Sequence, residues 1–281
     1  MDARVPLAPA SSVQPRVTLI DTHSHLLPGI DDGSPSLDES VALCRIAAED
    51  GIRTCVCTPH INFRYANSRE TIETPFELLR ARLRSEEIPL EIVGGAEVHM
   101  APDILDKLKR KDLVTYNDMG RYLLLEFPFQ QVLTGGEEMI YRLRLEGVTP
   151  VIAHPERIAY FMEDPGRLFN LIRLGALGQV TGGSLLGQFG EKCEAVGFTM
   201  IERRLVHVVA SDAHDGSYRR PVLSDAAETI AKRFGMARSR AMTEEIPAAI
   251  VEGRDIETSE PLPAPPKFWR LFGFLSRGSK A

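Results

Sequence analysis

Two histidines one residue apart, His23 and His25, follow the apolar run Val17-Thr18-Leu19-Ile20. The run reads as a buried strand, and in an extended backbone the side chains at i and i+2 point to the same side. Both imidazoles can therefore meet one ion, and imidazole suits zinc, iron, manganese and similar metals. Side chains of the same kind recur along the chain. Asp32 lies in the loop after His25, His60 follows Ile52 to Cys57, Glu97 follows Leu90 to Val93, Glu126 follows Tyr122 to Leu125, His154 follows Val148 to Ala153, and Asp212 and His214 follow Leu205 to Ala210. Carboxylates crowded into one place repel unless cations neutralise them. Mixed imidazole and carboxylate donors in this number predict two or three divalent ions rather than one.

Arginines accompany the set. Arg157 stands three residues beyond His154, and Arg219 and Arg220 follow His214 in a Gly-Ser-Tyr loop. Guanidinium beside clustered cations points to an anionic substrate, phosphate or carboxylate, bound through a planar fork. For at least one of Arg219 and Arg220 a solvated loop position is the expectation. A cysteine-based phosphate loop is excluded, since none of Cys44, Cys55, Cys57 and Cys193 has an arginine six positions later. Cys55 and Cys57 alternate along an apolar run and read as buried thiols. His207, between Val206 and Val208, and His99 read as structural.

The elements that must carry these residues alternate. Apolar runs ending at Ile20, Cys57, Val93, Leu125, Ala153, Thr181 and Ala210 are each followed by a helical pattern. A capping box at Ser36 and Glu39 predicts a helix ended by Gly51. Thr74-Pro75 predicts a helix start, with proline at the first position, and a run to about Glu87. Further helices are expected over Pro102 to Lys111, Gly136 to Glu146, Leu168 to Leu174, Glu191 to Arg203, Ser224 to Phe234 and Ile246 to Glu252. Strict alternation means a parallel sheet with right-handed crossovers. An open sheet gathers its site near one switch point, whereas a barrel brings every strand end to one mouth. Chemistry at nearly every strand end predicts an α/β fold of the second kind, a distorted seven-stranded relative of the TIM barrel.

A chain of 281 residues is long enough for a sizeable core, and its formal charge of −6 argues against a general nucleic-acid binder. Residues 1–16, with Pro6, Pro9 and Pro15, are expected to form a disordered arm rather than a signal peptide, and no segment is long enough to span a bilayer, so a cytoplasmic protein is expected. Residues 17–256 form the expected barrel domain and 257–266 a proline-rich linker. In the tail, 267–281, Phe268, Leu271, Phe272 and Leu275 share one helical face beside Lys267, Arg270 and Arg277. Packing back on the barrel is one open fate for that face; the other expectation is weak contact with an anionic membrane surface or a membrane-associated partner.

The series Asp-x-His-x-His, Asp-Asp-Gly, Thr-Pro-His, Gly-Ala-Glu, Leu-Glu-Phe, Ala-His-Pro-Glu-Arg and Ser-Asp-x-His resembles the polymerase and histidinol phosphatase (PHP) superfamily. Within it, the chain is similar to the bacterial capsular and exopolysaccharide protein-tyrosine phosphatases, over about Thr18 to Gly253. The resemblance implies a distorted (β/α)7 barrel and a trinuclear site. His23, His25 and Asp212 would hold one metal, Glu97 would bridge to a second held also by Glu126 and His154, and Asp32, His60 and His214 would hold the third. Arg157 and one of Arg219 or Arg220 would clamp a phosphoryl group. Ile61 stands where such chains often carry a second histidine, so the neighbouring loop is expected to differ. Manganese is the implied ion, with iron or zinc as alternatives. The implied partner is a phosphotyrosine protein, specifically a tyrosine autokinase at the inner membrane face that controls polysaccharide synthesis. A small-molecule phosphatase of the histidinol phosphate type and a non-catalytic scaffold are the other readings. An amidohydrolase would want a barrel lysine, and none ends a strand here.

Overall fold

The computed structural model describes residues 18–263 except Leu133, so the expected arm, 1–16, and tail, 267–281, lie outside the described residues. Nine strands run in chain order: β1 Leu19–Ser24, β2 Ile52–Cys57, β3 His60–Ile61, β4 Glu91–Gly94, β5 Glu97–His99, β6 Tyr122–Glu126, β7 Thr149–Ala153, β8 Leu177–Thr181 and β9 Val208–Ala210. Every pairing is parallel. The ladders are β1-β2-β4 and β3-β5-β6-β7-β8-β9.

These nine are the seven expected strands and two short ones that were not foreseen, β3 and β5, beyond the expected ends at Cys57 and Val93. β3 follows β2 after a break at Thr58-Pro59, where proline has no N–H to give to a ladder. β5 follows β4 after a break at Gly95-Ala96. A Cβ on Gly95 would stand 2.9 Å from Val56 Cγ1, so only glycine lets this backbone pass its neighbour so closely. The last strand meets the first. Asp212 N donates to His23 O and His25 N to Ala213 O, each at 2.8 Å, and Ser24 bridges Ala213 in parallel. The result is the expected distorted (β/α)7 barrel.

Strand alternation sorts the apolar residues into two cores. Val56, Val93, Leu124, Val151, Leu177 and Val208 cluster with Tyr116 and Tyr122 inside the barrel, and Ile250 and Val251 close that cluster from the helix Ile246–Val251. A larger cluster, with Leu43, Leu79, Leu123, Leu125, Ile140 and Leu168, fills the layer between strands and helices. The strand N-termini are thus plugged by side chains, and the opposite end is left to polar residues. Among the described residues no helix is long and apolar enough to cross a membrane.

Of the first two helices, one starts where expected and the other does not. Ser36 caps the helix Leu37–Asp50 by accepting from Glu39 N at 3.3 Å, and Gly51 ends it with a positive φ. The second helix begins at Arg69, not after Thr74, and contains Pro75. A reciprocal capping box between Ser68 and Thr71 sets the start, and burial of Ile72, Leu79 and Leu83 along one face holds the helix together. That offsets the one hydrogen bond the proline removes. The first strand also runs four residues beyond Ile20, β9 is shorter than expected, and a short helix Met236–Arg240 with a π turn after it was not foreseen.

The four cysteines are free; Cys44, Cys55 and Cys57 are buried and burial pushes their thiols up. His207 is the hydrogen-bonded core histidine the sequence suggests. Gly178 N donates to its Nδ1 at 3.1 Å and His207 N donates to Gly178 O at 2.7 Å. Burial, with the nearby Arg238 charge, lowers its pKa to about 4. A Cβ at Gly178 would lie 2.3 Å from Leu205 O. Gly178→Ala should therefore lower the free energy of unfolding by about 1–3 kcal/mol, read from the midpoint of urea denaturation; an unchanged midpoint would mean this strand pair yields without cost.

Candidate metal centre

Polar side chains pin the strand ends before any functional group is counted. Ser24 Oγ donates to Val56 O at 2.8 Å, and Thr58 Oγ1 accepts from Ser24 N at 3.1 Å, fixing β1 to the end of β2. Buried Asp21 accepts from Ser211 N at 2.9 Å and ties β1 to the end of β9. Gly33 brings the loop after β1 back on itself, for a Cβ there would stand 2.1 Å from His25 O. Two residues leave their strands in the left-handed region, His154 with φ 34° and Asp212 with φ 54°. For non-glycine residues such conformations cost about 1–3 kcal/mol each and cluster at functional sites.

On this frame the nine residues converge. Glu97 Oε2 lies 3.3 Å from His23 Nε2, 3.4 Å from His25 Nε2 and 3.0 Å from His60 Nδ1. Glu97 Oε1 faces His154 Nε2 at 2.9 Å. Asp212 Oδ1 lies 3.3 Å from His23 Nε2 and 3.5 Å from His25 Nε2. Asp32 Oδ1 approaches His60 Nε2 at 3.4 Å and His214 Nε2 at 3.6 Å. Glu126 stands 4.0 Å from His60 and 3.9 Å from His154. Asp32 is the most open of the set, its side chain 42% exposed, while Glu97, Asp212, His23 and His25 are buried.

The electrostatics follow from that burial. Burial alone would raise the Glu97 carboxyl, but the facing His23 and His60 hold it well below the usual carboxylate range. Burial likewise opposes ionisation of Asp212, and His23, His25, Arg219 and Arg157 outweigh it. His25 is carried well above its ordinary value, because the Asp31 charge overcomes the burial that would lower it. His214 goes the other way, down to about 2, through burial and then the adjacent His25.

The donor set fits divalent cations. Glu97 Oε2 is buried and makes no hydrogen bond of proper geometry, although three imidazole nitrogens surround it. Donors held about 2.1 Å from a common cation sit about 3–3.4 Å apart, and the distances among His23, His25, Glu97 and Asp212 fall close to that. Three groups of donors form: His23, His25 and Glu97; His60, Glu97 and Glu126; and His25, Asp32, His60 and His214. They overlap at His25, His60 and Glu97, whereas the resemblance gives His25 and His60 one ion each.

Both Arg157 and Arg219 donate to Asp212 Oδ2. Arg157 is also held between the faces of Phe189, at 4.5 Å, and Phe129, at 5.5 Å. Arg220 is exposed and outside the cluster, whereas Arg219 enters it. His99, read as structural, turns its Nδ1 to Glu126 Oε2 at 3.2 Å and so borders the centre. Sequence reasoning missed Asp31, whose carboxylate meets His25 Nδ1 at 2.8 Å, and Gln179, whose amide meets His23 Nδ1 at 2.8 Å. Asp31 was visible as the first half of Asp-Asp-Gly; Gln179 carries no signal, being one uncharged residue inside a strand.

The family described as capsular polysaccharide synthesis, CpsB/CapC, matches residues 19–252. The tyrosine-protein phosphatase YwqE of Bacillus subtilis is 37% identical over 92% of the chain and all of its own length. The tyrosine-protein phosphatase CpsB of Streptococcus pneumoniae is 34% identical over 83% of the chain and 98% of its own length. A structure from a study of YwqE and CpsB, described there as unique metal-dependent tyrosine phosphatases, superposes with a TM-score of 0.85 at 36% identity, covering 88% of the chain and all of the other. A lactonase from Listeria monocytogenes shares the fold alone, with a TM-score of 0.53 at 13% identity over 85% of the chain and 96% of its own.

The placement of the two loop arginines can be tested by calorimetric titration with inorganic phosphate. Arg219→Ala should weaken binding by about 1.5–3 kcal/mol, the worth of a charge-assisted hydrogen bond, and Arg220→Ala should leave it unchanged. The reverse order would put Arg220 in the site.

Proposed function

Because the chain belongs to the CpsB/CapC family of capsular polysaccharide synthesis, it is an enzyme of the metal-dependent tyrosine-phosphatase kind, and we propose that His23, His25, Asp32, His60, Glu97, Glu126, His154, Asp212 and His214 hold its divalent cations. The observation that carries this assignment is Glu97 Oε2, a buried carboxylate oxygen with no hydrogen bond and three imidazole nitrogens around it. Manganese is the proposed ion. The proposed substrate is phosphotyrosine on a protein, a membrane-associated tyrosine autokinase that governs capsular or exopolysaccharide synthesis.

Bound cations would supply Lewis-acid stabilisation of the phosphoryl oxygens and a lowered pKa for an attacking water. The chain's own groups do the rest. Arg157 and Arg219 would bind the phosphoryl oxygens, where charge spreads as the ester bond breaks. Asp212 accepts from both guanidinium groups and holds them together, and Arg157 lies against the rings of Phe129 and Phe189. His99, bonded to Glu126, and Tyr65, stacked on His60 at 5.8 Å, would stand beside the bound ester. Phenolate is a fair leaving group, so no strong acid is required to protonate it. Cys44, Cys55 and Cys57 are buried with raised thiol pKa values, so no cysteinyl phosphate forms on them.

Chelation should abolish hydrolysis of a phosphotyrosine peptide and manganese should restore it, while thiol alkylation changes little; full activity in metal-free protein would overturn the assignment. Glu97→Ala should lower turnover by orders of magnitude. Arg157→Lys keeps the charge but loses the fork, and steady-state kinetics should show a loss of up to about 2.7–4 kcal/mol, the worth of one tight transition-state donor. Wild-type rates with normal metal content would make Arg157 structural.

A further inference from the structure

Three of the clustered histidines, His23, His25 and His214, turn Nε2 toward the other donors and Nδ1 toward an outer partner. For His25 that partner is the Asp31 carboxylate at 2.8 Å, and for His214 it is the Asp212 backbone carbonyl at 3.0 Å. Both partners are acceptors only. They keep a proton on Nδ1 and leave the Nε2 lone pair of the neutral ring facing the centre. His23 is different. Its outer partner is the Gln179 side-chain amide at 2.8 Å, which can either donate or accept.

One end of the amide stands toward His23 Nδ1, and the other faces Thr22 Oγ1 at 2.6 Å and Tyr116 OH at 3.5 Å. His23 Nε2 faces Glu97 Oε2 and Asp212 Oδ1, each 3.3 Å away. A cation cannot share Nε2 with a proton. Metal binding at His23 therefore requires the proton on Nδ1 and an acceptor opposite it. The Gln179 carbonyl oxygen can be that acceptor, because the Thr22 and Tyr116 hydroxyls at the other end of the amide can accept from an NH2 as readily as they donate. Thr22, Tyr116, His23 and Gln179 are all buried, so water cannot take the amide's place. The neighbouring Gly178 is locked to His207 by two hydrogen bonds, which fixes the backbone from which the amide projects.

We propose that Gln179 is a positioning residue whose side-chain amide presents its carbonyl oxygen to His23 Nδ1–H and holds His23 as the Nε2-ligating tautomer. The proposal rests on the metal-binding reading above. Outer partners of ligating histidines are typically worth 10–100-fold in metal affinity. The full chain and its Gln179→Glu and Gln179→Met variants are titrated with cobalt(II) against a chromophoric chelator. Histidine ring nitrogens of the parent are followed by 15N NMR before and after loading with zinc. The expected result is affinity at least as tight for Gln179→Glu, which can only improve as an acceptor, and about 10–100-fold weaker for Gln179→Met, which has none. The loaded His23 should carry its proton on Nδ1. A merely structural role for Gln179 would not order the variants by acceptor strength. Gln179→Met binding as tightly as the parent, Gln179→Glu binding as weakly as Gln179→Met, or a loaded His23 with its proton on Nε2 would each overturn the proposal. The NMR measurement needs no variant, so a misfolded substitution cannot hide the answer. A parent chain that takes up neither ion would overturn the metal reading itself, and the Gln179 assignment with it.

Discussion

Burying the carboxylate of Glu97 among four imidazoles is costly in isolation, since a charge taken out of water loses several kcal/mol of hydration. His23, His25, His60 and His154 each approach it within 3.4 Å. These rings arrive from β1 and its end, from β3 and from the end of β7, while Glu97 itself opens β5. No two neighbouring strands could assemble that contact. A parallel barrel brings all these strand ends to one place, and the closure of β9 onto β1 by backbone hydrogen bonds completes the ring. The fold thus brings donors from separate strands to one carboxylate.

The division of labour between the two ends follows. At the strand N-termini, Ile250 and Val251 fill the barrel with apolar side chains and supply cohesion. At the C-termini almost every inward position is polar or charged and contributes little to burial of apolar surface. Asp21, Thr58, Ser24 and Ser211 then serve as fasteners, joining β1 to β2 and β9 by hydrogen bonds where hydrophobic packing has run out.

Much of this was legible in the sequence because the period of the apolar runs and the residues just beyond them carry independent signals. Seven runs predicted the barrel, and the residues beyond them marked the mouth that the structure assembles. The short strands β3 and β5 beyond Pro59 and Gly95 were not legible, since two or three residues are too few to show an alternation of their own. The second helix was misplaced because Thr74-Pro75 imitates a cap; the true cap, Ser68 with Thr71, wins by adding a turn that buries Ile72. Nothing in the order of residues separates Arg219 from Arg220, because which of two adjacent side chains enters a site depends on how the loop folds. The contact of His99 with Glu126 was not legible for the same reason. Gln179 could not be found at all, since an amide inside a strand resembles any satisfied polar residue until its partner across the barrel is known.

His154 and Asp212 hold a backbone conformation that suits glycine better than either of them. Glycine at either position would relieve that backbone strain. Strain alone therefore favours glycine at both positions, and only the contacts and work of their side chains hold them back. In a lineage freed from that work, these two codons are where drift should register early, before the apolar plug beneath them changes. The identity of the residues at 154 and 212 is thus a gauge of use: a relative that keeps histidine and aspartate there is still paying strain for chemistry.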